Sequence, residues 1–252
     1  MKHVGVGTAP PSLDAWKLAE SVLSQRHYDG SLPTSVKDEI RHARVRDQGY
    51  LCPYTLRAIH ALVPTAGDPL PRWDAHVEHL IPRSVSLARA NEHASKNEEA
   101  QQRAALEETV DYRNLLACVN RAANLPYGAA TRGARAIPIS PFDPGCEMRF
   151  QFSADGHVGP NLGDTAATEC IRLLSLDHDS LISLRLAALY SRGLTPRRPD
   201  GAVRSRIRPK TPSPTAARQL AAQIIQRDAS EHFEEFCLPI AQVAIAYAST
   251  RS

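Results

Sequence analysis

The residues best suited to chemistry lie in the segment from His76 to Ser84, which contains two histidines, a carboxylate and an arginine. If residues 76–79 are extended, strand alternation points His76 and Glu78 to one face and His79 to the other. A carboxylate can hold a hard divalent cation while a neutral imidazole takes a proton from water, so Glu78 and His79 suit metal-assisted phosphodiester hydrolysis. A Glu-His pair is also common in proteins, and a solvated strand end with two surface histidines is the alternative.

The neighbouring sequence predicts how this segment is held. The apolar residues between the charged ones predict a short buried strand, which Pro82 ends. Residues 85–110 have no clear apolar stripe and predict a helical, largely exposed insertion. Asn114 then leads an apolar run to Cys118, which is typical of a core element. The predicted elements around this region are helices over 12–25 and from 34, strands over 56–63 and 148–152, a hairpin turn at 155–156, and helices from 164, 181 and 215, the last ending near 237.

Length and composition indicate a globular protein. The chain has 252 residues, of which 42% are hydrophobic and 23% charged, with a formal net charge of +3. No apolar run reaches the ~20 residues that span a bilayer, and residues 1–11 lack the apolar core of a signal peptide. These features predict a cytoplasmic protein without a membrane partner.

The five cysteines are scattered, and no two of them form a C-x-x-C pair. This pattern favours reduced thiols over a disulfide framework. It also lacks the ligand spacing of a four-thiolate site, so no structural zinc is expected. The cysteines are Cys52, Cys118, Cys146, Cys170 and Cys237.

An ordered set of motifs resembles the HNH (ββα-metal) endonuclease pattern, and within it the HNH proteins of retron and Septu anti-phage systems, the PtuB-like family. The resemblance covers most of the chain, and its strength lies in the order of the motifs. It rests on Pro10 to Trp16, Gln48 to Tyr54, His76 to Ser84, Asn114 to Cys118, Tyr127 to Gly133, Pro144 to Phe150 and Leu176 to Arg185.

The resemblance implies a role for each matching residue. His79 would be the general base that activates water, and Glu78 would be the carboxylate ligand of a divalent metal, with Mg²⁺ or Mn²⁺ expected and Ni²⁺ also compatible. Asn114 would brace the loop that presents the base, a role that can coincide with the simpler one of capping a turn. Arg132 takes the place of the usual lysine before Gly133 and would lie near a phosphate.

The resemblance also gives roles to two further residues, and the chain departs from the HNH pattern at one position. His76 and Arg83 are expected as phosphate or metal neighbours. The last His or Asn of the HNH pattern falls on Ala129, so the second protein ligand is not identified by the pattern. The candidates that remain are Asn124, His93 and Asp143. Either the metal keeps more water, as Mg²⁺ tolerates, or the nuclease is inactive.

Basic residues provide a second, weaker indication of nucleic-acid binding. Residues 192–210 contain seven basic side chains against one acid, and Arg204, Arg206 and Arg208 are the expected phosphate contacts. A solubilising linker explains the same composition. The helix from residue 34 carries Lys37, Arg41, Arg44 and Arg46 on a face that is either solvated or a nucleic-acid surface.

The sequence therefore predicts an α+β protein with a small ββα-metal core over residues 50–150, including the helical insertion 85–110. The segments 1–49 and 151–252 are predicted to wrap it with helices. The predicted function is a divalent-metal-dependent endonuclease acting on DNA, with RNA as the other possible substrate, in anti-phage defence. The resemblance implies a partner ATPase. Because the chain has no Walker A motif, any use of ATP must come from such a partner. The alternatives are a non-cleaving HNH scaffold that binds nucleic acid or the ATPase, and, with little support, an unrelated Cys or Ser hydrolase.

Overall fold

The computed structural model describes residues 1–63, 70–119, 125–197 and 209–250, which form an α+β protein. The strands are β1 Ala75–His79, β2 Leu115–Val119, β3 Phe150–Phe152 and β4 Val158–Pro160. The α-helices are α1 Pro11–Ala19, α2 Thr34–Asp47, α3 Arg83–Ser95, α4 Glu99–Glu108, α5 Ala129–Arg132, α6 Thr165–Leu173, α7 Asp179–Ser191, α8 Pro214–Ile224 and α9 Cys237–Ser249. Among the described residues, 3₁₀ turns lie at Leu23–Gln25, Tyr112–Asn114 and Cys146–Arg149.

The strands β1 and β2 form an antiparallel pair in which His79 lies opposite Leu115 and His76 lies opposite Cys118. Strand β2 is the inner strand, because its residues 115–118 are all buried. On the edge of β2 away from β1, the backbone groups of Ala117 bond to the side chain of Gln48. Its Oε1 accepts from Ala117 N at 2.8 Å, and its Nε2 donates to Ala117 O at 2.7 Å. A buried amide thus replaces a third strand and ties β2 to the end of α2.

The principal core includes residues from all three predicted segments, among them Met1, Val45, Leu116, Phe150 and Ala244. A second cluster packs α1 and α2 against the start of β2. Its members are Leu13, Tyr28, Leu32, Val36, Ile40, Val110, Tyr112 and Leu115. The first strand pair is therefore enclosed by helices that come before and after it in the chain.

The interval 85–110 is occupied by α3 and α4, which pack on each other through Ala90, Ala105 and Leu106. Small residues at this contact explain why no broad apolar stripe is visible in the sequence. The pair lies between β1 and β2 in the chain. Their exposed faces carry surface ion pairs such as Lys96 with Glu92.

Four predicted elements are wrong in extent. The predicted strand 148–152 begins only at Phe150, because residues 148 and 149 belong to the 3₁₀ turn Cys146–Arg149. The predicted strand 56–63 is reduced to isolated bridges, in part because Leu56 has a left-handed φ of +63° that a strand cannot contain. The predicted helix 12–25 ends at Ala19. The predicted helix 215–237 ends at Ile224, and Asp228 then accepts hydrogen bonds from the backbone of Ser230 and His232, which closes a turn before α9.

Arg44 is also different from its sequence prediction. It was expected on the polar face of α2, but its side chain is fully buried and stacks on the ring of Tyr112 at 3.4 Å. Its guanidinium donates to Val6 O at 2.7 Å and to Tyr112 O. Arg44 therefore links the N-terminal segment, α2 and the turn before β2 inside the protein. Because its side chain is buried, it is not available to contact nucleic acid.

Within the described ranges, none of the helices combines the length and the apolar character needed to cross a membrane.

Candidate active site

A cavity of about 450 Å³ lies where β1 ends and α3 begins. Strand β1, the first turn of α3 and the region of α5 surround it. The titratable residues that line it are Asp29, His76, Glu78, His79, Arg83 and Arg132. The structure therefore brings together all of the predicted HNH residues of the His76–Ser84 segment, and adds Arg132 from 54 residues further along the chain.

His79 is held in one orientation. Its residue surface is only 4% exposed, and the ring meets Tyr28 edge-on with 4.8 Å between ring centroids. Nε2 lies 2.9 Å from the carbonyl oxygen of Thr109. Because a carbonyl only accepts, Nε2 carries the proton and donates it to this bond. In the neutral ring Nδ1 is then an unprotonated acceptor, which is the form that a general base requires.

Burial also keeps the imidazole of His79 neutral. Desolvation lowers the pKa of His79 to about 4, and the nearby positive charge of Arg83 acts in the same direction. The hydrogen bond to Thr109 and the carboxylates of Glu78 and Asp29 act in the opposite direction without cancelling the effect. His79 is therefore a neutral, oriented imidazole throughout the physiological pH range.

This pKa predicts acid-sensitive stability. The pKa of His79 is about 4 in the folded chain against an ordinary value of 6.5, so the unfolded chain binds the extra proton first as pH falls. The contribution of neutral, buried His79 to the free energy of unfolding is complete above pH 6.5 and is lost as pH falls toward 4. At about 1.4 kcal/mol per pKa unit, the loss totals ~3 kcal/mol. Urea unfolding with EDTA between pH 4 and 7 measures it. His79→Leu should flatten this part of the pH dependence, and an unchanged slope in that variant would contradict the prediction.

Asn114 fastens the segment that follows His79. Its Oδ1 accepts from Ile81 N at 2.7 Å, and its Nδ2 donates to Glu108 O at 2.9 Å and to Ile81 O at 3.3 Å. The backbone of Leu80 donates to the carbonyl of Asn114 at 2.9 Å. The end of α4, the turn before β2 and the end of β1 are thereby joined at one side chain. In this geometry the bracing role and the turn-capping role coincide.

Asn114→Ala is expected to lower the free energy of unfolding by about 1–3 kcal/mol, because it leaves the partly buried polar groups of Ile81 and Glu108 without their partner. Urea unfolding at neutral pH is the measurement. Asn161→Ala is the matched control, since Asn161 makes an exposed hydrogen bond to Met148 O and should change stability by no more than about 0.5 kcal/mol. Equal effects of the two substitutions would show that Asn114 does not act as a brace.

Glu78 and Arg132 form a largely enclosed ion pair. The Arg132 side chain is 1% exposed, and its Nε donates to Glu78 Oε1 at 2.8 Å while Nη2 contacts the same oxygen. The guanidinium also donates to the carbonyls of Arg135 at 2.7 Å and Leu80 at 3.1 Å, and to that of His79. Although burial alone would raise the pKa of Glu78, hydrogen bonding to His76 and the charge of Arg132 lower it, so Glu78 is a carboxylate.

This placement corrects the sequence expectation for Arg132. The resemblance put its guanidinium beside a phosphate, but the guanidinium is directed at Glu78 and at backbone carbonyls, with almost no surface left for a ligand. The short helix α5 delivers it, bounded by Gly128 and Gly133 at φ of +85° and +58°. Glycine allows these turns at both ends of a four-residue helix.

His76 and Arg83 lie at the cavity with more exposure. Nε2 of His76 is 3.4 Å from Oε2 of Glu78, on the oxygen that Arg132 does not contact. Arg83 pairs with Asp29 through half-exposed side chains. An exposed ion pair of this kind contributes little to the free energy of unfolding. Arg83 can therefore leave Asp29 to contact a phosphate with little loss of stability.

The candidates for a further metal ligand are not brought to the cavity. Ala129 lines it without a donor atom. His93 contacts Glu98 at 2.6 Å at the turn between α3 and α4, and Asp143 accepts from Ser140 N in a separate turn. Asn124 lies outside the described residues, as do Arg204, Arg206 and Arg208. Within the described ranges, no group of three His, Cys, Asp or Glu side chains could hold a metal ion.

The donor chemistry nevertheless fits a hard divalent cation that keeps most of its water. Arg132 occupies Oε1 of Glu78, which leaves Oε2 as an anionic oxygen beside His76. Mg²⁺ is commonly bound through one or two carboxylates with water in the remaining positions. Glu78 is therefore a suitable ligand for Mg²⁺ or Mn²⁺.

Cys52 and Cys118 meet behind the strand pair, beside a water-sized cavity that both residues line. Burial alone would raise the pKa of the Cys52 thiol, but hydrogen bonds from Cys118, from the Thr55 side chain and from the backbone of Thr55 and Val119 lower it to about 6. The pair joins the segment after α2 to β2. In the described part of the chain it has no third or fourth side chain of the kind that completes a zinc site.

Comparison with models of known protein families and with curated proteins found no match to this chain.

Proposed function

We propose that this chain is a divalent-metal-dependent endonuclease of the HNH type that hydrolyses phosphodiester bonds in DNA. One observation carries the proposal. Nε2–H of the buried His79 donates to Thr109 O at 2.9 Å, which leaves Nδ1 as the unprotonated acceptor of a residue that lines the same cavity as Glu78. A fixed tautomer beside a carboxylate is what metal-assisted hydrolysis of a phosphodiester needs from a protein.

The arrangement of elements supports a ββα-metal core as the finer description of the fold. Strands β1 and β2 are antiparallel, and the short helix α5 follows them and reaches back to Glu78 through Arg132. Asn114 fastens the segment after His79 at the place where the HNH pattern has its asparagine. The residues that carry the motif resemblance in sequence order therefore also lie close together in space.

The chemistry assigned to the chain is proton transfer. His79 Nδ1 takes a proton from a water molecule, the water oxygen bonds to phosphorus, and the bond from phosphorus to the ester oxygen breaks. That oxygen leaves and is protonated from solvent. Glu78 would hold the divalent cation, which would supply electrostatic stabilisation of the negative charge that develops in the reaction. Arg83, at the rim of the cavity, can contact a neighbouring phosphate.

The biological setting is proposed from the resemblance alone. The motifs resemble HNH proteins of retron and Septu anti-phage systems, so the endonuclease is proposed to be a defence effector that works with a partner ATPase. The predicted basic contacts Arg204, Arg206 and Arg208 would add phosphate contacts that do not depend on sequence.

A non-cleaving scaffold is the second candidate, and a specific observation favours it. The guanidinium of Arg132 already pairs with Glu78 in a nearly closed environment, and a fixed positive charge at this carboxylate opposes the approach of a metal cation. The scaffold would retain the HNH fold and bind nucleic acid or the ATPase.

The deciding experiment is cleavage of supercoiled plasmid and of single-stranded DNA with Mg²⁺ or Mn²⁺, with EDTA as the metal-free control. Any ATPase encoded beside this chain is included in parallel reactions. The proposal expects nicked or linear products that require added metal. DNA binding in a gel-shift assay without products under any of these conditions would support the scaffold and overturn the endonuclease.

A further inference from the structure

We infer that His76 is the second protein ligand of the cation, and that its Nε2 acts together with Oε2 of Glu78. This inference rests on the proposed metal-dependent function and deepens it, because the HNH pattern offers only Ala129 at the position of its second ligand. The donor that Ala129 lacks is supplied instead by β1 itself, two residues before Glu78.

Arg132 sets the geometry of this pair. It contacts only Oε1 of Glu78, with Nε at 2.8 Å and Nη2 on the same oxygen. Its side chain is enclosed and further fixed by three backbone carbonyls, so it cannot shift without losing several hydrogen bonds. The carboxylate is consequently held with Oε2 directed toward His76. Arg132 is a positioning residue in this account.

The distance between the two donors suits a shared cation. His76 and Glu78 are alternate residues of β1 and project from the same face, and Nε2 and Oε2 are 3.4 Å apart. Two ligands at right angles around a cation with bonds of about 2.1 Å lie ~3.0 Å apart, so a small rotation of the imidazole closes the difference. Both side chains keep partial exposure, at 24% for His76 and 17% for Glu78, which leaves room for water ligands.

The surroundings of His76 Nδ1, the ring nitrogen that would not bind the cation, predict the affinity of the site for metal. Nδ1 of His76 is buried and has no hydrogen-bond partner in the described part of the chain. A histidine that binds metal usually donates its other N–H to a carbonyl or carboxylate, and loss of that partner typically costs 10–100-fold in affinity. We therefore expect weak binding, in which Mn²⁺ binds better than Mg²⁺ because imidazole is a better ligand for Mn²⁺.

Titration of the metal-free chain with Mn²⁺, followed by electron paramagnetic resonance of the free ion, tests the inference without reference to catalysis. His76→Val is the main variant, since valine removes the donor and favours the strand that His76 occupies. Its affinity for Mn²⁺ should fall at least tenfold. His93→Ala is the matched control, because His93 lies away from the cavity beside Glu98, and it should bind Mn²⁺ like the unaltered chain. Thermal melting of each variant verifies that it is folded.

The outcomes separate this inference from the proposed function. If Glu78→Gln abolishes Mn²⁺ binding while His76→Val leaves it unchanged, His76 is not a ligand and the metal-dependent endonuclease stands. If the unaltered chain binds no Mn²⁺ at this site, the inference is wrong. Plasmid cleavage that continues in EDTA would instead overturn the metal-dependent function, whatever the binding data show.

Discussion

His79→Ala should slow metal-dependent DNA cleavage by roughly 10²–10⁴-fold, which is the usual contribution of a positioned general base. The physical reason is the tautomer: Thr109 O fixes the proton on Nε2, so Nδ1 is the atom proposed as the base. Initial rates of plasmid nicking with saturating Mn²⁺ measure the loss. The binding affinity of the variant for DNA should change little, because His79 is almost fully buried.

The control for this prediction must separate loss of the base from loss of structure. His79→Ala also removes a buried ring beside Tyr28 and leaves Thr109 O without its donor, so circular dichroism and melting have to show a folded variant. His93→Ala, in the last turn of α3 beside Glu98, should cleave at the normal rate. Cleavage by folded His79→Ala at the normal rate would show that the base lies elsewhere and that the assignment is wrong.

Arg132→Met should destabilise the fold by about 3–5 kcal/mol, which is the typical cost of removing one partner from a buried ion pair. Methionine keeps much of the side-chain length but leaves Glu78 charged and enclosed, and it leaves the carbonyls of His79, Leu80 and Arg135 without a donor. Urea unfolding at neutral pH measures the effect. The same variant should bind less Mn²⁺ if Arg132 positions Oε2 of Glu78, and more if Arg132 only competes with the cation.

A double-mutant cycle identifies the source of this loss. Glu78→Gln combined with Arg132→Met should be less destabilised than the sum of the two single changes, since neither charge is then buried alone. Arg103→Met is the surface control, because Arg103 and Glu99 form an exposed pair along α4 and should contribute at most about 1 kcal/mol. If Arg132→Met behaves like Arg103→Met, the enclosed pair is not a structural element of the site.

The sequence was most informative where a local pattern and a local structure coincide. The apolar residues Val77, Leu80 and Ile81 and the stop at Pro82 predict a short strand, and β1 is found at Ala75–His79, ending one residue before Leu80. Asp164 and the turn at Asp155-Gly156 are predicted from short-range preferences, and the structure contains the α6 cap and the β3–β4 hairpin. Helix ends were less predictable, because turns such as that at Asp228 depend on side-chain hydrogen bonds that periodicity does not report.

Strand alternation also gave an incomplete picture of the site. It places His79 on the opposite face from His76 and Glu78, yet all three line one cavity. The reason is that β1 ends at His79, and the chain then turns under the hydrogen bonds of Asn114 to begin α3. Only the packing of α3, α4 and β2 around that turn determines which way the imidazole faces.

The sequence by itself determined the residue types at the site, the position of the Glu-His pair near a strand end, and the absence of a donor at Ala129. The tertiary structure decided the charge of Glu78 and the protonation state of His79. The partner of Glu78 lies 54 residues away in Arg132, and the partner of His79 is a backbone carbonyl 30 residues away, at Thr109. No sequence pattern reports a carbonyl or the burial of an arginine. Hydrogen bonds and desolvation between distant segments fix the charge of Glu78 and the tautomer of His79.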